Sequence, residues 1–139
     1  NSTAFSVVVE SWQRTMPWVR NPEVPNYRTE VSEKIFKPLA YFHPFVCIGS
    51  EGTCRYLQRA GFETFGNLWD ESYDNILDDL ERYEAAISII PGAVEQYGSG
   101  QFDSLTWAKM THNNARFFNL DLVRDRVDSE IIQTIFSFI

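Results

Sequence analysis

Two short apolar runs, Ala4-Phe5-Ser6-Val7-Val8-Val9 and Phe45-Val46-Cys47-Ile48, constrain this chain more than any other feature. Each is too short for a helix and rich in β-branched or aromatic residues, so each reads as a buried strand. The first strand is predicted over residues 4–10 and ends on a carboxylate, Glu10. Between the two runs lies a helix signal: Ser32 as N-cap, Glu33 in the first turn, then apolar Ile35, Phe36, Leu39, Ala40 and Phe42. Pro38 within it either kinks the helix or falls in its first turns, where a missing N–H matters less. After the second strand, Gly49-Ser50-Glu51-Gly52-Thr53 turns into a short helix predicted over Cys54 to Ala60, with Gly61 as its C-cap. Phe62-Glu63-Thr64-Phe65 then alternates like a third strand. Strand, helix, strand, helix, strand is the order of a parallel sheet with crossover helices. The predicted fold class is therefore α/β, a small Rossmann-like parallel sheet with flanking helices.

From Asp78 onward the pattern becomes helical. Asp78 or Asp79 can cap a helix carrying Leu80, Tyr83, Ala86, Ile87 and Ile90, which Pro91-Gly92 is predicted to interrupt. Tyr97-Gly98-Ser99-Gly100 ends that segment, and Asp103 or Ser104 opens another through Trp107 and Met110 towards Phe117. A last helix is predicted from about Leu122, with Val123, Val127, Ile131, Ile132 and Ile135 at helical spacing, and its apolar end calls for cover by the domain or a partner. The 139 residues suffice for one domain, read as an α/β core over 1–75 with a helical segment over 76–139 packed on it.

A net charge of -7 argues against a nucleic-acid partner, whose binders carry a basic face. No apolar run reaches the roughly 18 residues of a membrane span, and no signal-peptide pattern opens the chain. Cys47 and Cys54 read as reduced thiols, the habit of a cytoplasmic protein. With only two histidines, His43 and His112, and no finger-like spacing, no metal site is expected.

In open α/β sheets ligands sit beyond the carboxyl ends of the strands, and helix starts attract phosphate. Glu33-Lys34 stands at such a place, where an acid suits a sugar hydroxyl and a base suits a phosphate; a solvated helix start is the plainer reading. Gly49, in the turn after the second strand, could bring backbone close to a phosphate, although the turn lacks P-loop spacing. The long loop Ser11–Glu30 carries Trp12, Trp18, Arg14, Arg20 and Arg28, whose guanidinium forks suit a diphosphate. Asp70-Glu71-Ser72-Tyr73-Asp74 lacks Asp-x-Asp spacing and reads as a loop with helix-capping acids. His43 is read as a polar residue at a helix end, with a general base as the sharper alternative.

The motifs Phe5-Ser6-Val7-Val8-Val9-Glu10-Ser11, Val31-Ser32-Glu33-Lys34-Ile35 and Pro44-Phe45-Val46-Cys47-Ile48-Gly49 resemble the donor-binding half of family 10, fucosyltransferase-type glycosyltransferases. Ser32-Glu33-Lys34-Ile35-Phe36-Lys37-Pro38-Leu39, Gly61-Phe62 with Thr64-Phe65, and Asp70-Glu71-Ser72-Tyr73-Asp74 are similar to virus- and phage-encoded glycosyltransferase-like proteins. Ser11 stands where family 10 has Asn, and Glu30 where it has Tyr. The resemblance implies the nucleotide-sugar-binding domain of a GT-B-type transferase, with two facing Rossmann-like domains and no cofactor beyond the donor itself. It implies Glu33 on the ribose hydroxyls, Lys34 on the diphosphate and Glu10 near the sugar or nucleotide, with the catalytic base and acceptor groove on a facing domain. A homo-oligomer is the other arrangement considered. The alternative reading is a non-catalytic viral or phage structural or interaction protein that keeps the fold.

Overall fold

The computed structural model describes residues 3–10 and 31–119. The predicted last helix and the Ser11–Glu30 loop, with Arg14, Arg20 and Arg28, lie outside the described residues. Two strands form the sheet, β1 (Ser6–Val9) and β2 (Phe45–Ile48), paired in parallel with Ser6 opposite Phe45 and Val9 opposite Ile48. Ser6 N–H donates to the Pro44 carbonyl and Glu10 N–H to the Ile48 carbonyl, both at 2.9 Å, so the ladder extends one residue past each strand. β2 is buried on both faces. β1 is buried on one only: Val8 and Glu10 point inward, whereas Val7 and Val9 are 39% and 47% exposed. The architecture is mixed α/β, a small parallel sheet with helices.

The connection from β1 to β2 ends in a 3₁₀ turn, Glu33–Ile35, that runs directly into α1 (Phe36–Ala40). Ser32 is the N-cap as predicted, its Oγ accepting from the Lys34 amide at 3.4 Å. The 3₁₀-to-α junction places Pro38 in the first turn of the α segment, where its missing N–H breaks nothing. α1 closes with His43 N–H on the Pro38 carbonyl at 3.1 Å. This hairpin end leaves Phe42 at φ 54°, a left-handed position usually filled by glycine, at about 1 kcal/mol.

α2 (Thr53–Arg59), α3 (Asp79–Tyr97) and α4 (Ser104–Phe117), with a second 3₁₀ turn at Ser72–Asn75, complete the helices among the described residues. Asp78 caps α3 through the Glu81 amide and Asp103 caps α4 through the Thr106 amide. Pro91 does not interrupt α3. It lies on the exposed side of α3, away from the core, and the helix continues for 19 residues.

The predicted third strand does not form. Residues 60–65 run along α4, and side chains of that helix take the place of a neighbouring strand. Asn113 bonds both backbone groups of Glu63, at 2.7 Å and 2.9 Å; Lys109 donates to the Thr64 carbonyl and Arg116 to the Ala60 carbonyl. His112 Nε2 lies 2.8 Å from the Gly61 carbonyl. Positions 109, 112, 113 and 116 lie on one helical face, which is why one helix can serve residues 60, 61, 63 and 64. Burial does not alternate here: Thr64 and Phe65 are both buried, Phe65 completely. Phe65 lies against Phe45 at 5.2 Å between ring centroids and against Trp69 at 6.3 Å, and Trp69 continues the aromatic row to Tyr97. Around this row Ile35, Leu39, Val46, Leu57, Ala86 and Met110 close the core.

Asn113→Ala is expected to cost about 1–3 kcal/mol, because the Glu63 N–H and carbonyl lose their partner together. Urea unfolding followed by tryptophan fluorescence checks this, and Asn113→Asp, which keeps the acceptor but not the donor, should recover part of the loss.

Candidate functional site

The carboxyl ends of the two strands meet the start of the 3₁₀ turn at one point. Glu10, one residue beyond β1, is 1% exposed, and its Oε2 accepts from the Ser32 backbone N–H at 3.0 Å. One carboxylate thus pins the helix start to the strand end. Its other oxygen, Oε1, is buried and has no hydrogen-bond partner among the described residues. A buried acceptor left without a donor costs free energy, so such an atom marks a place built for one.

Gly49, one residue beyond β2, lies directly beside it. A Cβ there would stand 3.5 Å from the Glu10 Cβ and Cγ and 2.8 Å from Thr53 Oγ1, closer than such atoms approach. Glycine is required here for space. The Gly49 carbonyl is held by Arg82, which reaches it from α3 with Nε at 2.9 Å. Arg82 is 2% exposed and spends its remaining donors on the Ile76 carbonyl at 2.8 Å, the Leu77 carbonyl at 3.3 Å and the Asp79 carboxylate.

Of the residues singled out in the sequence, Glu10, Ser32 and Gly49 are brought together, and Glu33 and Lys34 follow Ser32 on the exposed surface. Lys37 is also exposed.

The turn from β2 into α2 is not a phosphate cradle. Asp74, buried and 20 residues away from Cys54, places Oδ1 on the Cys54 amide at 2.9 Å and Oδ2 on the Arg55 amide at 3.2 Å, and its carbonyl takes the Gly52 amide. Thr53 N–H turns back to the Ser50 carbonyl. The donors that an anion would need are already used by a carboxylate of the chain itself. Gly52 at φ 81° supplies the sharp entry into α2.

The acidic run 70–74 leads into a 3₁₀ turn, Ser72–Asn75, rather than a plain loop, and of its acids Asp74 caps an α-helix, α2. Asp70 bonds the Ser72 amide and hydroxyl, which holds its carboxyl below the usual range. Glu71 accepts from Thr64 Oγ1 and the Phe65 amide, both at 2.8 Å, yet burial pushes its carboxyl upward against those bonds. Burial also pushes the thiols of Cys47 and Cys54 up, followed by nearby carboxylates. Both are free and buried, so neither is a nucleophile. His43 sits between α1 and β2 with Nδ1 3.1 Å from Ser6 Oγ, its pKa lowered by burial and by Lys37. It lies at the amino ends of the strands, the opposite end from Glu10, and takes no part in this site. Among the described residues no three His, Cys, Asp or Glu side chains come together as metal ligands, and no helix is long and apolar enough to cross a membrane.

Arg82 and Asp74 are the residues whose roles the sequence reading missed. Arg82 had a signal: it shares a helical face with Ala86 and Ala93, where a charged residue is out of place unless it is buried and bonded. Asp74 had none beyond its charge, because its partner helix lies upstream.

No family model, no characterised protein and no solved structure matches the chain.

Two outcomes follow from this geometry. Gly49→Ala is expected to lose about 1–3 kcal/mol by overpacking against Thr53. The double change Gly49→Ala with Thr53→Ala should cost less than the sum of the two singles, as measured by denaturant unfolding. Glu71 gives a pH signature. Its folded pKa is raised, so its contribution is complete below the ordinary glutamate value of about 4.3 and is lost as pH rises through the raised value. Unfolding midpoints across pH 4 to about 7 should decline in the native chain and decline less in Glu71→Gln.

Proposed function

We propose that this chain holds the nucleoside-diphosphate end of a sugar donor at the carboxyl ends of β1 and β2, as the donor-binding part of a glycosyltransferase. The observation that supports this best is Glu10. A carboxylate at the strand end is buried, bonded on one side to the helix start, and without a donor on the other among the described residues. A hydroxyl of the donor is the group that suits such an oxygen, because a carboxylate accepts and a phosphate would be repelled by it.

The same repulsion orients the ligand. Phosphate is turned away from Glu10, and the β2–α2 amides are already engaged by Asp74. The diphosphate then falls to Lys34 on the rim, with Glu33 beside it for the ribose hydroxyls. In the reaction the acceptor oxygen bonds the anomeric carbon as the bond from that carbon to the diphosphate breaks. Lys34 stabilises the charge gathering on the departing diphosphate. The acceptor proton goes to a base on a facing domain or a second copy, and this chain contributes binding and charge stabilisation.

The test is thermal melting with guanosine and uridine diphosphates. A rise in melting temperature that grows with nucleotide concentration is expected with one of them. Lys34→Ala should abolish most of it and Glu33→Gln should reduce it, with the nucleotide-free melting temperature unchanged in both. No rise with either nucleotide at millimolar concentration overturns the reading.

A further inference from the structure

The outer face of α3 carries an apolar stripe that no described element covers. Leu80, Ile87 and Val94 recur every seven residues and are 66%, 54% and 54% exposed; Leu77, just before the helix, is 62% exposed. At this spacing the three side chains lie in one narrow line along the helix. Glu84 and Pro91 fall in the same line, one turn from their apolar neighbours.

What flanks the stripe decides what fits it. The exposed charges of α3 are Glu81, Glu84 and Glu95, with Asp78 at the cap. The one cation of the helix, Arg82, is buried on the opposite side. The middle of the stripe therefore presents the exposed Glu84 side chain and, within α3, no cation. An anionic membrane surface is repelled by such a face. A second copy of α3 would bring more acid and no cation.

We infer that the outer face of α3 docks a basic amphipathic helix of a partner protein, with apolar residues at seven-residue spacing against Leu80, Ile87 and Val94 and a lysine or arginine against Glu84. This docking is independent of nucleotide binding.

The probe is a synthetic helical peptide of leucine and lysine, with leucines on a heptad seam, beside the same peptide with glutamate for lysine. Binding to the full chain is followed by fluorescence anisotropy. The lysine peptide should bind and the glutamate peptide should not. Ile87→Gln should weaken binding about tenfold, Val94→Gln should weaken it likewise, and Glu84→Gln should weaken it and flatten its salt dependence. Melting temperatures should not move, because these side chains are half exposed. Equal affinity for the native chain and Ile87→Gln overturns the inference, since attraction would then be net charge alone. A native dimer that Ile87→Gln dissociates also overturns it, by assigning the stripe to a second copy.

Discussion

A guanidinium removed from water must find an acceptor for every N–H it carries, and in this protein that requirement fixes where the chain's parts meet. Arg82 is buried and bonds the end of β2, the 76–77 backbone and the Asp79 carboxylate. Its ring-like plane also lies over Tyr83. α3 is therefore anchored to the sheet by a polar clamp as much as by Ala86 and Ala93, which only let it come close. The clamp sets the height of Gly49, and Gly49 in turn sets the space beside Glu10. Shortening Arg82 would leave the Gly49, Ile76 and Leu77 carbonyls and the Asp79 carboxylate without this partner at once, a larger fault than the loss of one packed side chain.

Polar side chains stand in for backbone throughout the molecule. Two strands cannot pair all their neighbours, so the segments around them take partners from side chains: Asn113 for Glu63, Glu71 for Phe65, Asp74 for the start of α2, and Asn114 for the Ala40 carbonyl at 2.8 Å. Each comes from a buried or half-buried residue, and all but the Glu71 bond join distant parts of the chain. Together they hold α4 against α1 and residues 60–65 with little help from additional β structure.

This explains what the sequence could and could not reveal. The strands were legible because four-residue β-branched runs have few other uses, and the caps Ser32, Asp78 and Asp103 because capping is local chemistry. The third strand failed for the opposite reason. Phe62-Glu63-Thr64-Phe65 has apolar ends but no alternation of burial, since Thr64 and Phe65 are both buried, and α4 supplies the partners of the Glu63 and Thr64 backbone. Pro91 sits inside α3 on its exposed side, and residue type alone does not say whether a helix packed along its length tolerates the one hydrogen bond a proline removes. At the candidate site, Glu10, Gly49 and Ser32 were legible as strand ends and a helix start. Asp74, which holds that geometry from elsewhere in the chain, was not, because nothing local marks its partner, whereas Arg82 showed only as a charge on the apolar face of α3.

Asp74 also shapes the order in which the chain can assemble. α2 has seven residues, too few to persist alone, and its first amides are satisfied by a carboxylate that arrives 20 positions later. The helix is stable only once residues 61–74 have folded back over it, so the two form and open as one unit. In the native state the amides of Cys54 and Arg55 are therefore protected from solvent by a closure event downstream of the helix. Their exchange with deuterium reports the opening of the 61–74 excursion rather than fraying of α2 itself.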